Sequence, residues 1–170
     1  MDTKDEPRWL DREEEAAWLS LVSVLLTLPA ALDAQLEADS GMTFYDYSVL
    51  STLTYAPNAT LRMRDLALVT NGSLSRLSQV VTKLECRGWV KRRPDPDDGR
   101  STLAVLTTAG RKKVDQTAPG HVERVRQLVL DPLTKTQVRQ MREINRRMRC
   151  AIEPEGNALF TATGAEEKLR

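Results

Sequence analysis

Apolar residues recur at steps of three and four along most of the chain, so helices are the dominant expectation. The first opens at Asp11, an N-cap residue type with Glu14 three positions on, and carries Trp18, Leu21, Leu25, Leu28, Leu32 and Leu36 on one face. Pro29 removes one backbone donor inside it and predicts a bend, while Ser40-Gly41 predicts its end. A second helix is expected over 45–55, with Tyr47, Val49, Leu50 and Leu53 as its apolar side and Pro57-Asn58 as its stop. Thr60 then caps a short helix over 61–68. The turn 69–72 holds Asn71 and Gly72, both suited to positive φ. Ser73 caps a helix that runs to Cys86 and ends at Arg87-Gly88.

Beyond it, 90–93 and 102–106 are strand-like and flank a Pro/Asp/Gly loop, the pattern of a β-hairpin with a charged tip. Two short helices across a glycine-containing turn form a helix-turn-helix, and such a hairpin after it makes a winged helix. Thr107 caps a long helix over 108–130, with loosening expected near Pro119-Gly120. Thr134 and Gln137 stand at capping-box spacing before a last helix bearing Val138, Met141, Ile144, Met148 and Ile152. From Glu153 the polar sequence predicts a loose tail.

The expected fold is mainly α: a winged helix-turn-helix with a two- or three-stranded β-wing, and terminal helices forming a dimerisation layer. The first helix and the last two are amphipathic and too long to be satisfied by a small winged helix, and a second copy is the simplest cover. This divides the chain into an N-terminal dimerisation helix (1–36), the winged helix-turn-helix (37–113), C-terminal dimerisation helices (114–152) and the tail (153–170).

Composition narrows the function classes. A chain of 170 residues with 41% hydrophobic and 29% charged residues has the make-up of one globular unit. Its longest apolar stretch is broken by Ser20, Ser23, Thr27 and Pro29, and its first residues are acidic and polar, so neither a membrane span nor a signal peptide is expected. Two cysteines give no disulfide framework and point to a reducing cytoplasm. The single histidine, His121, excludes a multi-histidine metal site, and no nucleophile set or paired catalytic carboxylates can be assembled. No enzyme and no cofactor are expected.

The net charge of +1 is unevenly spread. Residues 1–60 carry 3 Lys/Arg against 11 Asp/Glu, residues 61–113 carry 12 against 5, and residues 114–170 carry 10 against 8. A basic central third is a footprint of nucleic-acid binding, although charge alone does not separate it from a solvated basic face.

The candidate reading helix, 73–86, places Leu74, Leu77, Val81 and Leu84 on its packing side. Ser75, Gln79 and Lys83 lie opposite, with Arg76 at the edge and no carboxylate among them. Arginine takes guanine bidentately and glutamine takes adenine, so these types suit the major groove. Serines at the amino end suit phosphate. At the wing tip, Arg100 suits a narrow minor groove, and Asp98 is expected to orient an arginine.

The runs LRMRDLA, SLSRLSQVVTKLECRGWVKR and PDPDDGRSTLAVLTTAG resemble, in order and spacing, the MarR (multiple antibiotic resistance regulator) transcription factors. The resemblance covers roughly residues 11–152. It implies a cytoplasmic homodimer that binds a palindromic operator in double-stranded DNA, in the manner of a repressor. It implies Ser73, Ser75, Arg76 and Gln79 in the major groove, Arg100 in the minor groove, and Arg62 on phosphate. It further implies a small anionic aromatic effector held between the dimerisation helices and the winged helix. Trp18 and Tyr45 would then offer aromatic surface, Arg92 a charge for a carboxylate, and Ser78 a hydroxyl. Two alternatives are a winged helix used for protein–protein contact, and a thiol-based redox sensor using Cys86.

Overall fold

A computed structural model describes residues 7–152, so the expected tail lies outside the described residues. Six helices and three short strands follow in chain order: α1 (Arg12–Ser40), α2 (Phe44–Tyr55), β1 (Thr60–Arg62), α3 (Met63–Val69), α4 (Leu74–Cys86), β2 (Val90–Pro94), β3 (Thr102–Leu106), α5 (Thr108–Val125) and α6 (Lys135–Ile152).

The ends of α1 form for local reasons. Asp11 accepts from the backbone N–H groups of Glu13 and Glu14, and Glu14 accepts from the Asp11 N–H in return. At the other end Gly41 turns left-handed at φ 64°, a conformation that a side chain would strain, and its N–H closes on Glu37 O. The helix continues through Pro29. A second capping box, between Thr43 and Asp46, starts α2.

One expected boundary moves. Residues 60–62 are not the first turn of a helix but a strand, antiparallel to β3 with Leu61 opposite Ala104. Arg62 is still extended at φ −63°, ψ 142°, and α3 begins only at Met63. The pull comes from β3, whose second edge this strand fills, giving a three-stranded sheet in the order β1-β3-β2. The helix after the wing also differs from expectation. It holds regular spacing through Pro119 and widens to a π turn only at Arg126–Leu130, closed by Asp131 N–H on Arg126 O at 2.8 Å.

The core lies where α2, α3, α4 and the sheet meet, around Leu36, Leu50, Leu53, Leu66, Leu77 and Leu84, all fully buried. Truncating any of these leucines to alanine costs about 2–5 kcal/mol. The terminal helices behave otherwise. Only Leu32 and Leu36 of α1 are buried, and α6 buries no residue. Trp18 is 54% exposed and Leu25 59%, and Ile144 and Ile152 stand open on α6. By length and composition α1 meets the requirement for crossing a membrane, contrary to the expectation from its interrupting polar residues. The core helix of a soluble protein or a signal sequence meets the same requirement.

Candidate nucleic-acid interface

The helix-turn-helix is α3, the turn 70–73 and α4. Ser73 caps α4, its Oγ accepting from the Arg76 N–H, and Leu77, Val81 and Leu84 anchor the helix in the core. Leu74 departs from the expected packing side. It is 55% exposed and lines the cleft beside the wing. Ser75, Arg76 and Gln79 are exposed together, as expected, on a helix whose one carboxylate, Glu85, is engaged elsewhere.

The turn before α4 is built around a tyrosine. Asn71 is left-handed at φ 49°. Gly72 is not, and its need is for space: a Cβ there would lie 1.9 Å from Tyr45 Oη. Tyr45 Oη and Thr70 Oγ1 are 3.1 Å apart, and the Arg76 guanidinium lies 4.1 Å above the Tyr45 ring. Tyr45 therefore braces the turn and the exposed Arg76 side chain and lines neither cleft of this surface, a placement the spacing of aromatics did not reveal.

Lys83 also takes a different job from the one expected. Its Nζ donates to Asp46 Oδ2 at 2.6 Å, and Asp46 is buried in the first turn of α2. The lysine is a strut between helices, with its charge already matched.

The wing corrects a second assignment. Asp98 accepts from the Arg100 N–H at 3.1 Å and from Ser101 Oγ at 2.8 Å, so it shapes the turn and holds no arginine side chain. The carboxylate that does so is Asp95, three residues earlier and buried, which accepts from Arg62 Nε at 2.7 Å. The hydroxyl of Ser101 and the N–H of Arg100 hold the Asp98 carboxyl below the usual range, and the Asp97 N–H followed by Arg62 does so for Asp95. The same pairing raises Arg62 further above its ordinary value. Arg62 thus stands fixed at the base of the wing, and Arg100 is exposed at its tip.

Between α4 and the wing runs a cleft of about 400 Å³ lined by Arg62, Arg64, Leu74, Ser78, Arg92 and Arg100, with no carboxylate on its walls. Arg92 and Ser78 do meet here, as expected: Arg92 Nη2 donates to Ser78 O at 2.6 Å and more weakly to Ser78 Oγ. The guanidinium also bonds Glu85 and Thr82 of α4, so it ties the wing to the helix. Trp18 borders neither this cleft nor a second one of about 340 Å³ between α2 and the turn, walled by Phe44, Tyr47, Ser51, Thr70, Asn71 and His121. The four residues expected to share an effector are thus in three places.

His121 packs 4.6 Å from the Tyr47 ring, and burial lowers its basicity. Cys86 is exposed in the last turn of α4 and Cys150 is exposed on α6. Among the described residues no three His, Cys, Asp or Glu side chains gather as a metal site.

A display of exposed Arg, Gln and Ser on an anchored helix, beside an arginine-lined cleft, is suited to a polyanion with readable edges. The model of the MarR family matches residues 43–102, the stretch from the start of α2 to the first residue of β3. A MarR family transcriptional regulator from Streptomyces coelicolor, solved in complex with DNA, is 42% identical, over 89% of this chain and 94% of that one, with a TM-score of 0.83. AbsC, a MarR family transcriptional regulator of the same organism, is 31% identical over 87% of this chain and 99% of its own, with a TM-score of 0.80. The multiple antibiotic resistance protein MarR of Escherichia coli K12 is 35% identical over 69 residues, 41% of this chain and 46% of that protein. The chain spans about half the length of the curated relatives it matches.

Proposed function

Since the chain belongs to the MarR family of transcriptional regulators, we propose that it reads a specific sequence in double-stranded DNA as a homodimer, with α4 in the major groove and the wing in the minor groove. The observation that carries this is the exposed, acid-free face of Ser75, Arg76 and Gln79 on a helix bolted to the core by Leu77, Val81 and Leu84. The neighbour of TM-score 0.83 was solved in complex with DNA, which supports DNA as the partner here. Ser73 and Arg62 sit at the helix start and wing base, where phosphates pass, and Arg100 at the tip suits the minor groove.

The homodimer follows from the bare apolar faces of α1 and α6, which a second copy would cover. Two symmetric reading helices call for a palindromic operator with half-sites about 10–10.5 base pairs apart. The protein would act as a repressor by occupying that site in the cytoplasm. For an effector, the 340 Å³ cleft against α2 is the better seat. Its walls offer Ser51, Thr70 and neutral His121 but no Lys or Arg, which favours a neutral hydroxylated aromatic over the anionic one expected from sequence.

The test is selection from random duplexes with the purified full chain. A recovered palindrome whose affinity falls steeply with salt supports the proposal. Enrichment of no sequence overturns it and leaves the winged helix as a protein-contact module.

A further inference from the structure

The structure assigns Tyr45, a residue of the helix before the helix-turn-helix, as the positioning residue that fixes Arg76 for its base contact. The inference rests on the reading of Arg76 proposed above and adds to it a residue that touches no DNA.

Four observations meet at this ring. Arg76 lies 4.1 Å above its face. Thr70 Oγ1 donates its one proton to Leu66 O at 2.7 Å, so in the 3.1 Å pair the tyrosine hydroxyl is the donor, and the ring is pinned at its far end. The turn leaves room for that hydroxyl only because residue 72 is glycine. The next residue, Asp46, holds Lys83 Nζ, seven positions beyond Arg76 and so on nearly the same face of α4. Two consecutive residues of α2 thus set the rotation of the reading helix at two points.

The consequence is for the entropy of docking. A free arginine side chain must be ordered when it meets a base, whereas one already resting on a ring loses less. The guanidinium of Arg76 donates no hydrogen bond to another described residue, so its N–H donors remain for a base edge. Attraction through a ring face at a partly exposed site corresponds to a factor of roughly two to five in affinity.

The test uses the full chain, the duplex recovered by selection with wild-type protein, and every single-base-pair variant of it. Tyr45→Phe keeps the ring and loses only the Thr70 bond, so discrimination at the pair read by Arg76 should fall by less than in Tyr45→Met, and the other positions should stay unchanged. Tyr45→Met fills the space without a ring. It should cut discrimination roughly two- to fivefold at the pair read by Arg76 and leave the other positions unchanged. In an Arg76→Ala background the same change should have no further effect at that pair. If Arg76→Ala flattens one position and Tyr45→Met does not, or lowers all positions equally, the positioning role is overturned while the reading of Arg76 stands. If Arg76→Ala flattens none, both fall. Should Tyr45→Met fail to fold, the Arg76 Nε–H resonance of the wild-type protein decides. A ring-current shift and restricted motion support the role, and a signal indistinguishable from that of exposed Arg93 overturns it.

Discussion

Lys83 Nζ and Asp46 Oδ2, 37 residues apart in sequence, meet at 2.6 Å and tie α4 to the buried start of α2. The same carboxylate oxygen accepts from the Thr43 N–H at 3.0 Å, so one buried group both caps α2 and locates α4. Removing the lysine would leave that carboxylate without its cation in a site water reaches poorly.

Lys83→Met should therefore lower unfolding stability by about 1–3 kcal/mol. It should barely change the salt dependence of DNA binding, since a charge already paired with Asp46 displaces few counterions. Urea unfolding and affinity across a salt series are the two measurements. A flattened salt slope with stability intact would return Lys83 to the DNA-facing residues of α4.

The wing should be sensitive to acid. Asp95 and Asp98 both titrate below the ordinary 3.8, so their contribution to stability is full above that value and is lost as pH falls through their folded values. Amides of 95–101 should lose protection against hydrogen exchange below about pH 3.8 before those of α4 do, after correction for intrinsic rates. Asp95→Asn should open the same amides at neutral pH by releasing Arg62. Unchanged protection in that variant would show that the wing does not depend on the pair.

The lone histidine permits a clean test of burial. His121 is less basic than 6.5 because it is desolvated beside Tyr47 and Phe44. The unfolded chain then binds the proton more readily, so stability rises with pH between the folded value and 6.5, and falls on acidification through that window. Wild-type Tm should drop more between pH 7 and pH 5.5 than that of His121→Gln, and the imidazole NMR titration should have its midpoint below 6.5. A midpoint at or above 6.5 contradicts the packing described here.

Much of this was legible in the sequence because it is local. The capping box at Asp11/Glu14 and the caps Ser73 and Thr107 depend on residues within one turn, and they stand where the spacing puts them, as do β3 and the buried positions Leu77, Val81 and Leu84 of α4. Non-local partners were not legible. β1 is extended because β3 lies 40 residues downstream, Lys83 turns inward because Asp46 waits there, and Tyr45 serves Arg76 across the turn. A helical wheel reports polarity and not the identity of a tertiary partner. Asp95 and Asp98 differ only in how the wing loop folds, which Asp/Gly content does not specify.

The proposed dimer should break at side chains that one protomer does not use. Leu25 is 59% exposed in the single chain, so Leu25→Glu should keep the helical circular dichroism and the core. Each leucine withdrawn from a dimer interface forfeits about 1.5–3 kcal/mol, counted twice by symmetry. Solution mass should fall to that of one chain, 19.1 kDa, and operator binding should fail with it. A dimeric Leu25→Glu with full affinity would place the interface elsewhere.

The most direct measurement is the affinity of wild type, Arg76→Ala and Arg100→Ala for the recovered operator and each of its single-base-pair variants. Arg76→Ala should cost about 1–3 kcal/mol and erase preference at one base pair in each half-site. Arg100→Ala should weaken binding most where flanking A·T tracts narrow the minor groove. An equal loss on every duplex, random sequence included, would reduce both arginines to charge and contradict the account of α4 as the reader.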